Sequence, residues 1–300
     1  MATSLVPLAP TGGALSPIVA GAWRMADWGL APAARLRWIE QCVDLGVTSF
    51  DHADIYGGYT VEALFGEALA LAPSLRARLQ LASKCGIRLV SPQRPAHAIK
   101  SYDTSAAHIV ASAEASLRAL RTDHLDLLLL HRPDALLDPD EVAEAIERLR
   151  REGKVLQAGV SNFSPAQFAL LHDRTPLATN QVELSPLALG VLRDGTLDQC
   201  TALRVRPMIW SPLAGGRLLA GTDEAAVRTR AELASLAAEL GVAPATVAFA
   251  WVLRHPSRPV PITGSREPAR IAEAVAALDV TLTREQWYRV WRAGAGREVP

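Results

Sequence analysis

Along the chain, short runs of apolar and β-branched residues alternate with longer stretches whose apolar positions recur at helical spacing. The clearest run is 125–130, interrupted only by Asp126 and ended by His131. Such runs suit strands buried on both faces, as in a parallel sheet. Further strands are expected at 18–22, 47–50, 79–83, 156–160, 178–182, 207–210 and 260–263. Between them the spacing predicts helices at 32–45, 60–71, 105–120, 139–151 and 224–240, with Thr60 as an expected cap. Asp138 before and Gly153 after the fourth of these match helix start and stop chemistry. A side-chain oxygen takes up an orphan amide, and glycine accepts the left-handed turn that ends a helix. Ser164-Pro165 and Ala243-Pro244 open two more helices, with proline at the first helical position. About eight strand–helix units result, the arithmetic of a closed (β/α)8 TIM barrel. A doubly wound open sheet is the competing arrangement. No fixed-period repeat or Pro/Gly/Ser-rich linker divides the chain, so residues 1–300 are expected to form one domain.

Composition narrows the function classes. Lys+Arg and Asp+Glu number 31 each, so there is no net charge to favour nucleic acid or a membrane surface as a partner. Hydrophobic residues make up 49% of the chain, enough for a sizeable core, yet no run spans a bilayer. Residues 1–10 contain Pro7 and Pro10 and lack the basic-then-apolar order of a signal peptide. Cys42, Cys85 and Cys200 are odd in number and far apart, which reads as free thiols in a reducing compartment and no metal site. The expectation is a cytoplasmic protein, monomeric or weakly homo-oligomeric.

In a barrel of this kind, chemistry sits at the C-terminal ends of the strands. The residues there include Asp51, Lys84 and His131 on consecutive predicted strands, with Tyr56 on the loop after the first of them. These types suit reduction of a carbonyl. A tyrosine of pKa about 10 is a reluctant proton donor. A neighbouring lysine is expected to lower that value, and an aspartate keeps the lysine charged and oriented. A histidine can hydrogen-bond the substrate oxygen or share the proton. Each residue alone is as easily a rim ion pair or packing group, and the spacing does not name the reaction. His52 follows Asp51, faces the other way along the strand and is expected to pack. Cys85 is expected to be buried and structural.

The stretch Phe50-Asp-His-Ala-Asp-Ile-Tyr-Gly57 closely resembles the aldo-keto reductase signature, as do Ser83-Lys84-Cys85-Gly86 and Leu129-Leu130-His131-Arg132-Pro133-Asp134. The match continues in order through Gly153-Lys154-Val155, Gly159-Val160-Ser161-Asn162-Phe163, Asn180-Gln181-Val182-Glu183, the segment 210–216 and Pro261-Ile262-Thr263-Gly264-Ser265. The tail from Leu282, with Gln286-Trp287, is similar to a bacterial group of oxidoreductases in this family. The resemblance implies a barrel with Tyr56 as general acid, Lys84 and Asp51 tuning it, and His131 positioning a small-molecule carbonyl. It implies NADPH as cofactor, with Ser161, Asn162 and Gln181 on the carboxamide and Trp210 stacked on nicotinamide. Ser211, Leu213 and Gly216 would line the pyrophosphate, and Gly264, Ser265, Arg266 and Arg270 would hold the 2′-phosphate.

The residue types agree with those roles. Ser, Asn and Gln give an amide both donors and acceptors, and a helix opening after Gly264-Ser265-Arg266 offers a phosphate free amides. The alternative for the two arginines is surface pairing with Glu267 or Glu273. The chain departs from the family in carrying Trp210 where tyrosine is frequent, which keeps the stacking face, and Ala274 where asparagine is frequent, which removes an adenine contact. Trp23, at the exit of the first strand, is expected as the aromatic wall of the substrate pocket and is counted with the cofactor-contacting residues. Trp28 and Tyr59 are the secondary candidates. The irregular stretch 90–105 is expected to loop over the site. Two other functions fit the same fold: a Schiff-base lyase using Lys84 as its amine, and a nicotinamide-binding regulatory or sensor subunit with little turnover.

Overall fold

A computed structural model describes residues 4–299. The expectations that residues 1–10 are no leader and that 1–300 form one domain lie partly outside that range. In chain order the strands are β1 (Val6–Ala9), β2 (Gly12–Leu15), β3 (Val19–Gly21), β4 (Ser49–Asp51), β5 (Gln80–Cys85), β6 (Ile87–Arg88), β7 (Ser101–Tyr102), β8 (Leu125–Leu130), β9 (Val155–Ser161), β10 (Asn180–Glu183), β11 (Met208–Trp210) and β12 (Val260–Thr263). The helices are α1 (Pro32–Asp44), α2 (Val61–Leu69), α3 (Ala106–Leu120), α4 (Pro139–Arg151), α5 (Pro165–His172), α6 (Thr196–Leu203), α7 (Arg217–Ala220), α8 (Glu224–Leu240), α9 (Pro244–Leu253), α10 (Pro268–Ala276) and α11 (Arg284–Ala295).

Eight strands close into a parallel barrel in the order β3-β4-β5-β8-β9-β10-β11-β12, with β12 pairing back onto β3. The open sheet is excluded. Helices cover the outside, so barrel strands are buried on both faces over most of their length, with Leu156 near the start of β9 an exposed exception. Asp126, the one polar residue within β8, accepts hydrogen bonds from Arg76 Nη2 and the Leu81 amide at 2.9 and 2.8 Å. The hairpin β1–β2, which the hydropathy pattern did not predict, closes the N-terminal end. Its Leu8 carbonyl accepts from the Arg206 amide at 2.7 Å, and Ser16 and Ser49 exchange backbone-to-hydroxyl bonds at 2.7 and 3.1 Å beside it. Among the described residues no single helix is long and apolar enough to cross a membrane.

Several boundaries differ from the expected ones for identifiable reasons. Val47 is expected in a strand, but its amide closes the end of α1 on the Cys42 carbonyl at 2.9 Å, and β4 begins at Ser49. Thr60 makes no capping bond. Its hydroxyl donates to the Gly57 carbonyl at 2.9 Å, inside the tight turn that carries Tyr56. Asp138, Ser105 and Ser164 do cap their helices. The helix after Gly264 opens at Pro268, with no side-chain cap, so Ser265 and Arg266 precede it.

Candidate active site

The barrel brings Asp51, Tyr56, Lys84 and His131 together at its C-terminal mouth. Lys84 lies within β5, paired with Leu129 of β8, and is 1% exposed. Its ammonium contacts Asp51 Oδ1 and Oδ2 at 2.8 and 2.7 Å, the His52 carbonyl at 2.8 Å and the Tyr56 oxygen at 3.1 Å. Asp51 Oδ1 also accepts from Gln181 Nε2 at 2.8 Å, linking opposite sides of the barrel. The Tyr56 and His131 rings meet edge to face with centroids 5.9 Å apart.

Burial works to lower the Lys84 ammonium, but Asp51 and Tyr56 outweigh it and hold the group above the ordinary lysine value. For Tyr56 the balance differs from the expectation. Burial raises the phenol above its ordinary value, and Lys84 acts downward without overcoming it. Tyr56 is therefore a protonated phenol at neutral pH, the form a proton donor needs. Burial, reinforced by Lys84, Arg132 and Lys100, pushes His131 well below the ordinary imidazole range, so the ring is neutral. Its Nδ1 is buried without a partner.

Ser161, Asn162, Gln181 and Trp210 cluster beside this group. Ser161 Oγ donates to the Gln181 carbonyl at 2.9 Å and accepts from Asn162 Nδ2 at 2.7 Å and Arg132 Nη1 at 3.3 Å. Its one donor and both acceptor sites are then engaged within the protein. Asn162, left-handed at φ 59°, accepts from Trp210 Nε1 at 3.2 Å. Ser211, Leu213 and Gly216 follow β11 in a turn whose left-handed residues include Ser211 at φ 52° and Gly216 at φ 101°. A Cβ on Gly216 would meet nothing within 4 Å, so this backbone faces open space. Gly264 and Ser265 lie next to β3 and α1: Trp38 Nε1 donates to the Ser265 carbonyl at 3.2 Å. Arg266 is exposed and bonded to Glu267 at 2.9 Å, and Arg270 is exposed.

Trp23 is 58% exposed, with its ring 6.5 Å from that of Tyr56, which suits a wall of the substrate side of the mouth. Trp28 instead packs on Trp38 at 4.9 Å, and the Tyr59 hydroxyl accepts from the Leu89 amide at 2.8 Å, tying down the 90–105 stretch. Both are packing residues. His52 packs edge-on against Phe65 at 4.5 Å and is held near a pKa of about 3 by burial and then Lys84. Cys85 is fully buried. Sequence reasoning passed over Arg132, Lys100 and Glu183. For Arg132 the available signal was its place in the Leu129–Asp134 motif, one residue after His131.

An aldo/keto reductase family model matches residues 17–294. The oxidoreductase YdhF of Escherichia coli is 52% identical, covering 98% of this chain and 99% of its own. A 6-dehydroglucose reductase of Agrobacterium fabrum is 45% identical, covering 95% and 96%. Among solved structures, a glycerol dehydrogenase from Gluconobacter oxydans superposes with a TM-score of 0.85 at 26% identity, over 99% of this chain and 97% of that one. The match runs from ahead of the first barrel strand into α11, the fold agrees strand for strand with that expected of such a match, and the chain belongs to the aldo/keto reductase family of oxidoreductases.

Proposed function

We propose that the protein is an NADPH-dependent reductase of small aldehydes, ketones or quinones, with Tyr56 as the proton donor. One observation carries the assignment: the buried Lys84 ammonium donates to the Tyr56 oxygen at 3.1 Å while Asp51 holds its other side. Because Lys84 occupies an acceptor site of that oxygen, the phenolic proton is directed elsewhere, towards the mouth. When bound, the dihydronicotinamide supplies the hydride to the carbonyl carbon. Tyr56 gives its proton to the carbonyl oxygen, and Lys84 stabilises the tyrosinate left behind until solvent returns a proton. Neutral His131 donates a hydrogen bond to the same oxygen without adding a second charge.

The mouth suits the cofactor. Among the described residues the Gln181 amide oxygen has no hydrogen-bond partner, Trp210 is partly exposed beside Asn162, and the backbone at Gly215 and Gly216 faces open space. Among the described residues Arg266 is paired only with Glu267, both more than half exposed. Exposed pairs contribute about 0–1 kcal/mol, so a 2′-phosphate can replace that partner, with Ser265 and Arg270 close in sequence. Three buried cysteines without a disulfide fit a reducing, cytoplasmic setting.

The lyase alternative is disfavoured because Lys84 is charged and its protons are already engaged by Asp51, His52 and Tyr56. Two relatives named 6-dehydroglucose reductase make sugar-derived aldehydes early substrates to try. The test is to follow NADPH and NADH oxidation with a reactive ortho-quinone and such aldehydes. Turnover with preference for NADPH supports the assignment. Cofactor binding without turnover of any carbonyl supports a sensor role instead, and no binding of either nucleotide refutes the proposed site.

A further inference from the structure

Arg132 follows His131 and curls back over the end of its own strand. Its Nη1 donates to the His131 carbonyl at 2.7 Å and to Ser161 Oγ at 3.3 Å, and its guanidinium carbon lies 5.9 Å from the Trp210 ring centre. Among the described residues no carboxylate comes within 4.0 Å of it. Among the same residues its Nε and Nη2 have no partner, and they are not among the atoms sealed from solvent. Half-buried and without a counter-ion, the guanidinium is held below its ordinary value by desolvation, against Tyr56, Tyr102 and Glu183. Glu183 is the nearby acid, opposite Trp210 in the β10–β11 register and also under the influence of Arg217. Lys100, exposed just before β7, adds positive potential at His131 and among the described residues forms no ion pair. Lys84, by contrast, is neutralised by Asp51.

The mouth thus presents two cations that, among the described residues, have no carboxylate within ion-pair distance, beside the imidazole that faces the carbonyl. A guanidinium with a free edge and no carboxylate is arranged to take an external anion through two parallel bonds. We propose that Arg132, assisted by Lys100, is a specificity-determining residue that binds anionic oxygens on the substrate, so that the compound reduced is a small aldehyde or ketone bearing a carboxylate or phosphate. Adjacency of Arg132 to His131 places the anion a few carbons from the reacting carbonyl. This inference rests on the carbonyl-reduction reading above.

The test compares matched pairs: succinic semialdehyde with butanal, and glyceraldehyde 3-phosphate with glyceraldehyde. The anionic member of at least one pair is expected to have a kcat/KM about tenfold or more higher, with the better pair separating carboxylate from phosphate. Arg132→Met is expected to collapse that ratio mainly through KM, Arg132→Lys to keep part of it, and the exposed Lys100→Met to reduce it a few-fold. High salt should raise KM for the anionic member only. Calorimetry with unreactive succinate gives an independent readout, with binding expected in the wild type and weakened in Arg132→Met. Equal use of both members of each pair overturns the inference. So does an equal loss on both in Arg132→Met, which would make the guanidinium a support for Ser161, or an Arg132–Glu183 pair that leaves succinate unbound. If no carbonyl is reduced, the reductase reading fails, while succinate binding still decides whether Arg132 is an anion site.

Discussion

At the residue scale, the strongest constraint is the pair of Lys84 and Asp51, 1% and 5% exposed and 2.7 Å apart. Removing one partner strands the other charge away from water, which costs about 3–5 kcal/mol. Lys84→Met is expected to lower the unfolding free energy by about that much in urea, and Lys84→Met with Asp51→Leu to recover part of the loss. Behind this pair lies an unused acid. Glu62 is buried and accepts from Ser83 Oγ at 2.5 Å, and burial raises its carboxyl above the ordinary value of 4.5, against Ser83 and Lys84. In the window from 4.5 up to the raised value the folded state holds more protons than the unfolded one, so stability falls as pH rises through it. Glu62→Gln removes this titration while keeping an acceptor for Ser83. The variant is expected to gain on the wild type as pH rises, and melting temperatures across acid and neutral pH check this.

Individual residues also differ in how much of their role the sequence discloses. That Asp51, Tyr56, Lys84 and His131 meet at one mouth was legible because each stands at the end of a strand-like run or on the loop after it. The sign of the Tyr56 shift was not, because spacing reveals a neighbouring lysine but not the depth of burial that outweighs it. Arg132 was hidden for a similar reason: its importance lies in a counter-ion it lacks.

At the element scale, local chemistry set several of the helix starts. Asp138 accepts from the Asp140 amide at 2.9 Å, and Ser164 forms a reciprocal capping box with Gln167. Strands β8 and β12 were legible because their runs are almost wholly apolar. Hairpin β1–β2 was not predicted: its strands are four residues each, and Pro7 and Gly12-Gly13 interrupt any clear alternation of apolar and polar positions. Close packing of elements depends on Gly66 of α2, where a Cβ would land on the Ala119 carbonyl oxygen of α3. Backbone cannot yield as a side-chain tip can, so Gly66→Ala is expected to cost at least about 1–3 kcal/mol despite alanine's better helix propensity. Thermal unfolding checks the sign, and a stabilised variant would contradict this packing.

At the scale of the molecule, closure of the barrel makes the site possible. Gln181 and Asp51 stand 130 positions apart in sequence and 2.8 Å apart in space, a meeting that requires β10 and β4 to face each other across a closed ring. The count of strand–helix units pointed to that ring but did not exclude an open sheet. A ligand that binds only the assembled mouth stabilises it by mass action. Saturation with NADPH at about a hundred times its Kd is expected to add about 2.7 kcal/mol, and NADH at equal concentration less. Equal shifts from the two nucleotides would remove Arg266 and Arg270 as determinants of cofactor choice.

The proposed chemistry turns on Tyr56 donating the proton while Lys84 steadies the oxygen left behind. It is tested by the NADPH-dependent kcat of Tyr56→Phe on an ortho-quinone or aldehyde the wild type reduces, with NADPH affinity titrated on both proteins. The expected result is a loss of about a hundredfold or more in kcat with cofactor affinity nearly unchanged. A variant that binds NADPH normally and turns over within a few-fold of the wild type would contradict the role given to Tyr56.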